Sequence, residues 1–143
     1  MIPDLRDFDR LSREFRWNIP ARYNIGVDVT DKWARIAPAR PAIIDVRADG
    51  GVRIVTFGTL SEESNRLANA LSSRGIHRGD RVGILLPQSP EVTIAHAAIY
   101  KLGAIAVPLA LLFGDDALAY RLNDAGVRAL IATGAGVRKT RAL

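Results

Sequence analysis

Cysteine is absent from the 143 residues. That excludes a disulfide framework and any thiolate metal site, and it fits a reducing compartment. Histidine is nearly as scarce. His77 falls on a loop and His96 on a helix, neither with the histidine or carboxylate spacing of a zinc site. Both are read as structural. No Gly-Lys-Ser/Thr tripeptide occurs, so there is no Walker A loop. The opening MIPDLRDFDRLSREF is charged throughout and lacks the apolar core of a signal peptide. The most apolar stretch, Val92–Phe113, is interrupted by Lys101, Gly103 and Pro108. It reads as soluble core rather than a membrane span.

What is present suits one globular domain: 48% hydrophobic and 24% charged residues, enough to bury a core. The net charge is +5 and comes mostly from arginine, because lysine occurs only at Lys32, Lys101 and Lys139. Arg6, Arg10, Arg13, Arg16 and Arg22 crowd the first 22 residues. They alternate with Asp and Glu, which favours a solvated surface. No basic-aromatic pattern or motif supports nucleic-acid binding.

Local patterns order the chain. Phe8, Leu11 and Phe15 form one helical stripe, so residues 1–21 read as an amphipathic lead-in ended by Pro20. A short helix follows, capped by Asp28 or Thr30, with Trp33 and Ile36 or Ala37 inward and Pro38 as its stop. Ala42–Val46 and Val52–Phe57 flank the turn Asp49-Gly50-Gly51 and predict a β-hairpin. Thr59 and Glu62 suggest a capping box opening a helix to Arg74, with Gly75 as its left-handed cap. Leu60, Ser64, Leu67, Ala68 and Leu71 form its inward stripe. Arg81–Leu86, Ala104–Leu109 and Val127–Ala132 are apolar strands. Between them come a helix from Pro90 to Leu102, with Ser89 as N-cap and Gly103 as C-cap, and another opened by Gly114-Asp115-Asp116 and closed by Gly126. Helix–strand alternation implies parallel strands covered by helices. The fold class is therefore α/β: a three-layer α/β/α piece with a parallel sheet, preceded by a helical lead-in and a β-hairpin. Residues 1–40 are the lead-in and 41–143 the domain proper.

Residue chemistry alone names no reaction. Asp115 and Asp116 sit at a helix N-terminus, where the dipole accounts for them without a metal. Ser61, Ser64, Ser72, Ser73 and Ser89 have helix or capping roles, and no serine–histidine–acid set is evident. The run Thr133-Gly134-Ala135-Gly136-Val137-Arg138 follows a strand as a phosphate loop would, but Lys139 stands where a dinucleotide fingerprint needs its third glycine. Arg138, Lys139 and Arg141 can still hold a phosphate by charge.

Four segments in order resemble the N-terminal part of the adenylate-forming superfamily of acyl-CoA synthetases, luciferases and peptide-synthetase adenylation domains. TFGTLSEESNRLANAL resembles its first core motif, with Phe57 in place of the Tyr and Thr59 in place of the Glu. GIHRGDRVGILLPQSPE resembles the Gly-Asp-x-Val…Pro-Asn-x-Pro-Glu segment, YKLGAIAVPL the second core motif, and LAYRLNDAGVRALIA the helix and strand after it. The opening WNIPARYNIGVDVTDKWA is similar to the lead-in of medium-chain and acetate-type members.

The resemblance implies a cytoplasmic enzyme that uses ATP, with Mg2+, to turn a carboxylic acid into an acyl-adenylate, and then CoA to form a thioester. It also implies that the phosphate loop, the ribose-holding aspartate and the catalytic lysine lie beyond residue 143, so that this piece is truncated and inactive alone. The motifs present carry packing roles in the family, and no catalytic residue is assigned here. By the same resemblance, Arg138 and Arg141 match arginines that contact the CoA 3′-phosphate in acetate-type members. The nearby loop is Ala110-Leu111-Leu112 where those members have glycines. The alternative reading is a stand-alone, non-catalytic α/β module that binds a nucleotide or partner. The isolated piece is expected to leave the Pro90–Leu102 helix and Leu109–Phe113 partly uncovered.

Overall fold

The computed structural model describes residues 7–141. Residues 1–6 of the lead-in, Arg6 among them, and residues 142–143 lie outside the described residues.

Three strands form a parallel sheet in the order β4-β3-β5: β3 is Arg81–Leu85, β4 Ile105–Pro108 and β5 Val127–Ala132. Successive strand residues point to opposite faces, so β3 serves two cores. Val82 and Ile84 face one side, where Leu71 and Ile76 and then Ala95 and Ile99 cover them. Leu71 lies in α3, Phe57–Ser72, and Ala95 and Ile99 in α4, Pro90–Lys101. Leu85 faces the other side, with Leu109 and with Leu118 from α5, Asp115–Asp124. Gly83 lies on that same face, where a β-carbon would sit 2.7 Å from Leu130 Cδ1. The three layers and parallel strands match the expectation from helix–strand alternation.

The hairpin pairs β1, Pro41–Val46, with β2, Val52–Thr56, around Gly50 at φ 81°. The lead-in is shorter than its pattern suggests. α1 spans Phe8–Glu14, capped by the Asp7 carboxylate, and ends well before Pro20. Next, a π-helical turn, Val27–Asp31, runs into α2, Lys32–Ile36. Asp28 and Thr30 lie inside this turn rather than capping it, and the Thr30 hydroxyl donates to Gly26 O at 2.5 Å. Trp33 is half-buried beside Phe57, whereas Ile36 is exposed.

The capping box is also corrected. Thr56, not Thr59, is the N-cap of α3: its backbone is extended and its hydroxyl accepts the Thr59 N–H. Glu62 pairs with Arg66 one turn on. The Pro90–Leu102 helix is partly uncovered: Val92, Ile94 and Leu102 are half-buried. Ala95, Ala98 and Ile99 are fully buried, because the π turn and α3 cover the side of α4 that the sheet leaves open. Leu112 remains 97% exposed.

A contiguous exposed apolar patch also lies on the hairpin. Ile44 pairs with Ile54 and Val46 with Val52, all on one face and 56–69% exposed. A β-branched patch of this kind favours association. Replacing Ile44 and Val52 with threonine keeps the strand preference and is expected to raise the concentration at which the chain stays monomeric. Sedimentation or light scattering across a concentration series checks this, and an unchanged association midpoint would refute it. Among the described residues, no helix is long and apolar enough to cross a membrane.

Candidate functional site

The chain leaves β3 through Pro87–Ser89 toward α4 on one face, and leaves β5 through Thr133 toward α6, Gly134–Thr140, on the other. The carboxyl ends of β3 and β5 thus flank a point where successive connections diverge, the usual place for a ligand in an open parallel sheet. The glycine-rich run there is the first turn of α6, not a loop. Thr133 caps it, its hydroxyl accepting the Gly136 N–H at 3.1 Å. Gly136 is required because a β-carbon would come within 3.0 Å of Ala132 Cβ and 3.4 Å of the Leu85 carbonyl.

The three cations expected to act together divide. Lys139 donates to the carbonyls of Phe113 and Leu111, fastening α6 to the loop after β4. Its charge is spent on structure. Arg138 and Arg141 are exposed and make no hydrogen bond or ion pair among the described residues. Two guanidiniums at i and i+3 near the end of a helix can grip a phosphate from one side. Leu111 and Leu112 are exposed on the loop that Lys139 holds against α6. His96 is remote, its Nδ1 at 2.9 Å from Val92 O, and Asp115 and Asp116 occupy the first turn of α5.

The most constrained polar cluster escaped sequence reasoning. Lys101, whose side chain is 7% exposed, lies 2.5 Å from Asp31 Oδ1 and 2.8 Å from both Ser64 Oγ and Asn65 Oδ1. Ser61 adds a 2.6 Å bond to the same carboxylate oxygen. Burial raises the Asp31 carboxyl, but hydrogen bonds from Lys101 and Ser61 outweigh it and hold the group below its ordinary range. One backbone tie reinforces the cluster, from Asn24 Nδ2 to Lys101 O at 3.0 Å. The sole signal in the sequence was a charged residue inside an otherwise apolar helix. The cluster docks the lead-in on α3 and α4 and offers no open position for a substrate.

A family model described as "AMP-binding enzyme" matches residues 30–142. The chain belongs to the AMP-binding enzyme family. Among curated relatives it is 34% identical over 136 residues to human "Acetyl-coenzyme A synthetase 2-like, mitochondrial", covering 94% of this chain and 20% of that protein. It is 39% identical over 127 residues to "Acetyl-coenzyme A synthetase" of Rhodobacter capsulatus, covering 87% and 19%. An acyl-CoA synthetase structure from Brucella canis superposes with a TM-score of 0.86 at 26% identity, covering 96% of this chain and 27% of that one. The architecture is that of the N-terminal subdomain of adenylate-forming enzymes. This chain spans about a fifth of the length of the curated relatives it matches.

Proposed function

We propose that this chain is the N-terminal portion of an acyl-CoA synthetase. In the whole enzyme a carboxylate oxygen attacks the α-phosphorus of ATP; the bond from that phosphorus to the β-phosphate oxygen breaks, pyrophosphate leaves and the acyl-adenylate remains. The CoA thiol then displaces AMP to give the thioester, losing its proton. ATP, presented with Mg2+, CoA and a small carboxylic acid are the substrates, and the cytoplasm is the proposed location. Residues 41–143 are part of the AMP-binding domain, and residues 1–40 are its lead-in. The observation that carries this reading is the pair of acetyl-CoA synthetase relatives matched over at least 87% of the chain.

Within that reaction, Arg138 and Arg141 bind the 3′-phosphate of CoA. Their exposure and lack of an internal partner support the role, as does the exposed Leu111–Leu112 loop held beside α6. Each charge-assisted contact contributes about 1.5–3 kcal/mol. In the enzyme that carries this segment, R138A/R141A is expected to raise KM for CoA about tenfold or more. Carboxylate-dependent pyrophosphate exchange, which reports the first half-reaction, should stay unchanged. An unaltered CoA dependence refutes the assignment of the arginines. Absence of acid-dependent exchange in the parental enzyme refutes the reaction itself.

A further inference from the structure

We propose that the groove at the carboxyl end of α4 binds a phosphate-bearing anion through Arg22 and Arg78. The groove has a volume of about 840 Å3, and its lining includes both arginines with Tyr23, Asn24, Tyr100 and Gly103. That size suits a small organic ligand, within the usual range of about 300–1,000 Å3. The site lies by the start of β4, at the opposite end of the sheet from α6, and is separate from the arginines assigned to CoA.

Three features make the groove an anion site. First, no carboxylate lines it among the described residues, and neither arginine makes an ion pair there. The nearby charges are already matched: Lys101 faces Asp31, and Asp28, which accepts the Tyr23 hydroxyl at 3.0 Å, faces Lys32. Second, the negative end of α4 is masked. The carbonyls of Ala98, Ile99 and Tyr100 accept backbone N–H groups from Leu102, Ala104 and Gly103, and that of Lys101 accepts Asn24 Nδ2. With its last carbonyls occupied, the helix end no longer repels an anion as bare groups would. Third, both guanidiniums stand on anchored backbone. Gly103, at φ 69°, leaves space that the Arg78 stem fills, so that a β-carbon there would sit 3.1 Å from Arg78 Cγ. The Asn24 bond to Lys101 O fixes the segment that carries Arg22 to the same helix end. Two forked donors lining one groove match phosphate oxygens, and the Tyr23 and Tyr100 rings supply apolar walls for the remainder of the ligand.

The test uses the 143-residue chain carrying R138Q/R141Q, which silences the arginines proposed for CoA. Pyrophosphate is titrated at fixed ionic strength while the amide resonances of Tyr23 and Gly103 are followed. Saturable shifts at both are expected, with R22Q and R78Q each weakening the affinity about tenfold or more. Arg22 and Arg78 are exposed, so these variants retain the fold. No saturable shift, or an affinity in R22Q or R78Q unchanged from that of the R138Q/R141Q parent, overturns the proposal. A hexaglutamate peptide that binds more tightly than pyrophosphate overturns the phosphate assignment.

Discussion

Replacing Lys101 with methionine is expected to destabilise the chain by about 3–5 kcal/mol, because it strands the Asp31 carboxylate in a site built for a charge pair. The Lys101 and Asp31 side chains are only 7% and 19% exposed, so water replaces the lost contacts only in part. Ser61, Ser64 and Asn65 lose a shared donor in the same step. Against a typical total of about 5–15 kcal/mol, that is a large fraction. Urea unfolding followed by circular dichroism measures it. A loss within about 0.5 kcal/mol, as for an ordinary surface change, would show that the network is idle. The companion variant D31L/K101M removes both charges and should recover part of the loss, since an apolar pair of similar volume can replace a buried ion pair.

The same cluster fixes a pH dependence. The Asp31 carboxyl titrates below its ordinary value of 3.8 in the folded chain. The folded state therefore binds this proton less readily than the unfolded state. The stability so gained is complete above about pH 5, a unit beyond the ordinary value, and is lost as pH falls through the depressed folded value. In K101M the hydrogen bond and charge of Lys101 are gone, and burial is opposed only by the hydroxyls of Ser61 and Thr30. The carboxyl then lies higher than in the parent, so protonation costs the variant less. The two proteins should converge in stability on acidification, and a constant gap between pH 3 and 7 would refute the coupling.

Local chemistry was legible where one residue decides the backbone. Val127–Ala132 was read with the bounds the structure has. Gly75, Gly103 and Gly126 all take positive φ at helix ends, and Pro90 opens α4. Reading failed where two residues compete for one role. Thr56 and Thr59 stand three apart, and only the extended backbone of Thr56 shows which one caps. It failed again for Gly134-Ala135-Gly136, a helical turn in which Gly136, poor helix former though it is, is kept because Leu85 and Ala132 leave no room for a side chain. Contacts distant in sequence left no periodic trace. Lys101 meets Asp31 across 70 positions, and the enclosure of α4 depends on that docking. The division of Arg138, Lys139 and Arg141 into a structural cation and two free ones needed Phe113 O in place.

Leu85 joins the scaffold to that divided cluster, and Leu85→Ala is expected to cost about 2–5 kcal/mol. The side chain is fully buried at the centre of the sheet with Leu109 and Leu118, and its removal leaves a cavity that the rigid β3 cannot close. A β-carbon on Gly136 would lie 3.4 Å from Leu85 Cδ2, so the cavity opens beneath α6. The Val137 N–H, bonded to Thr133 O at 2.8 Å in the first turn of α6, should then exchange with solvent faster than global destabilisation alone predicts. Ile99→Ala provides the contrast. Ile99 is as deeply buried but lies on the α3–α4 face, so its truncation should lower global stability by a comparable amount without loosening α6 selectively. Urea midpoints and amide exchange at Val137 separate the two variants. If both alter Val137 equally, the two cores act as one unit. If only Leu85→Ala does, the orientation of Arg138 depends on the packing of one leucine in the sheet.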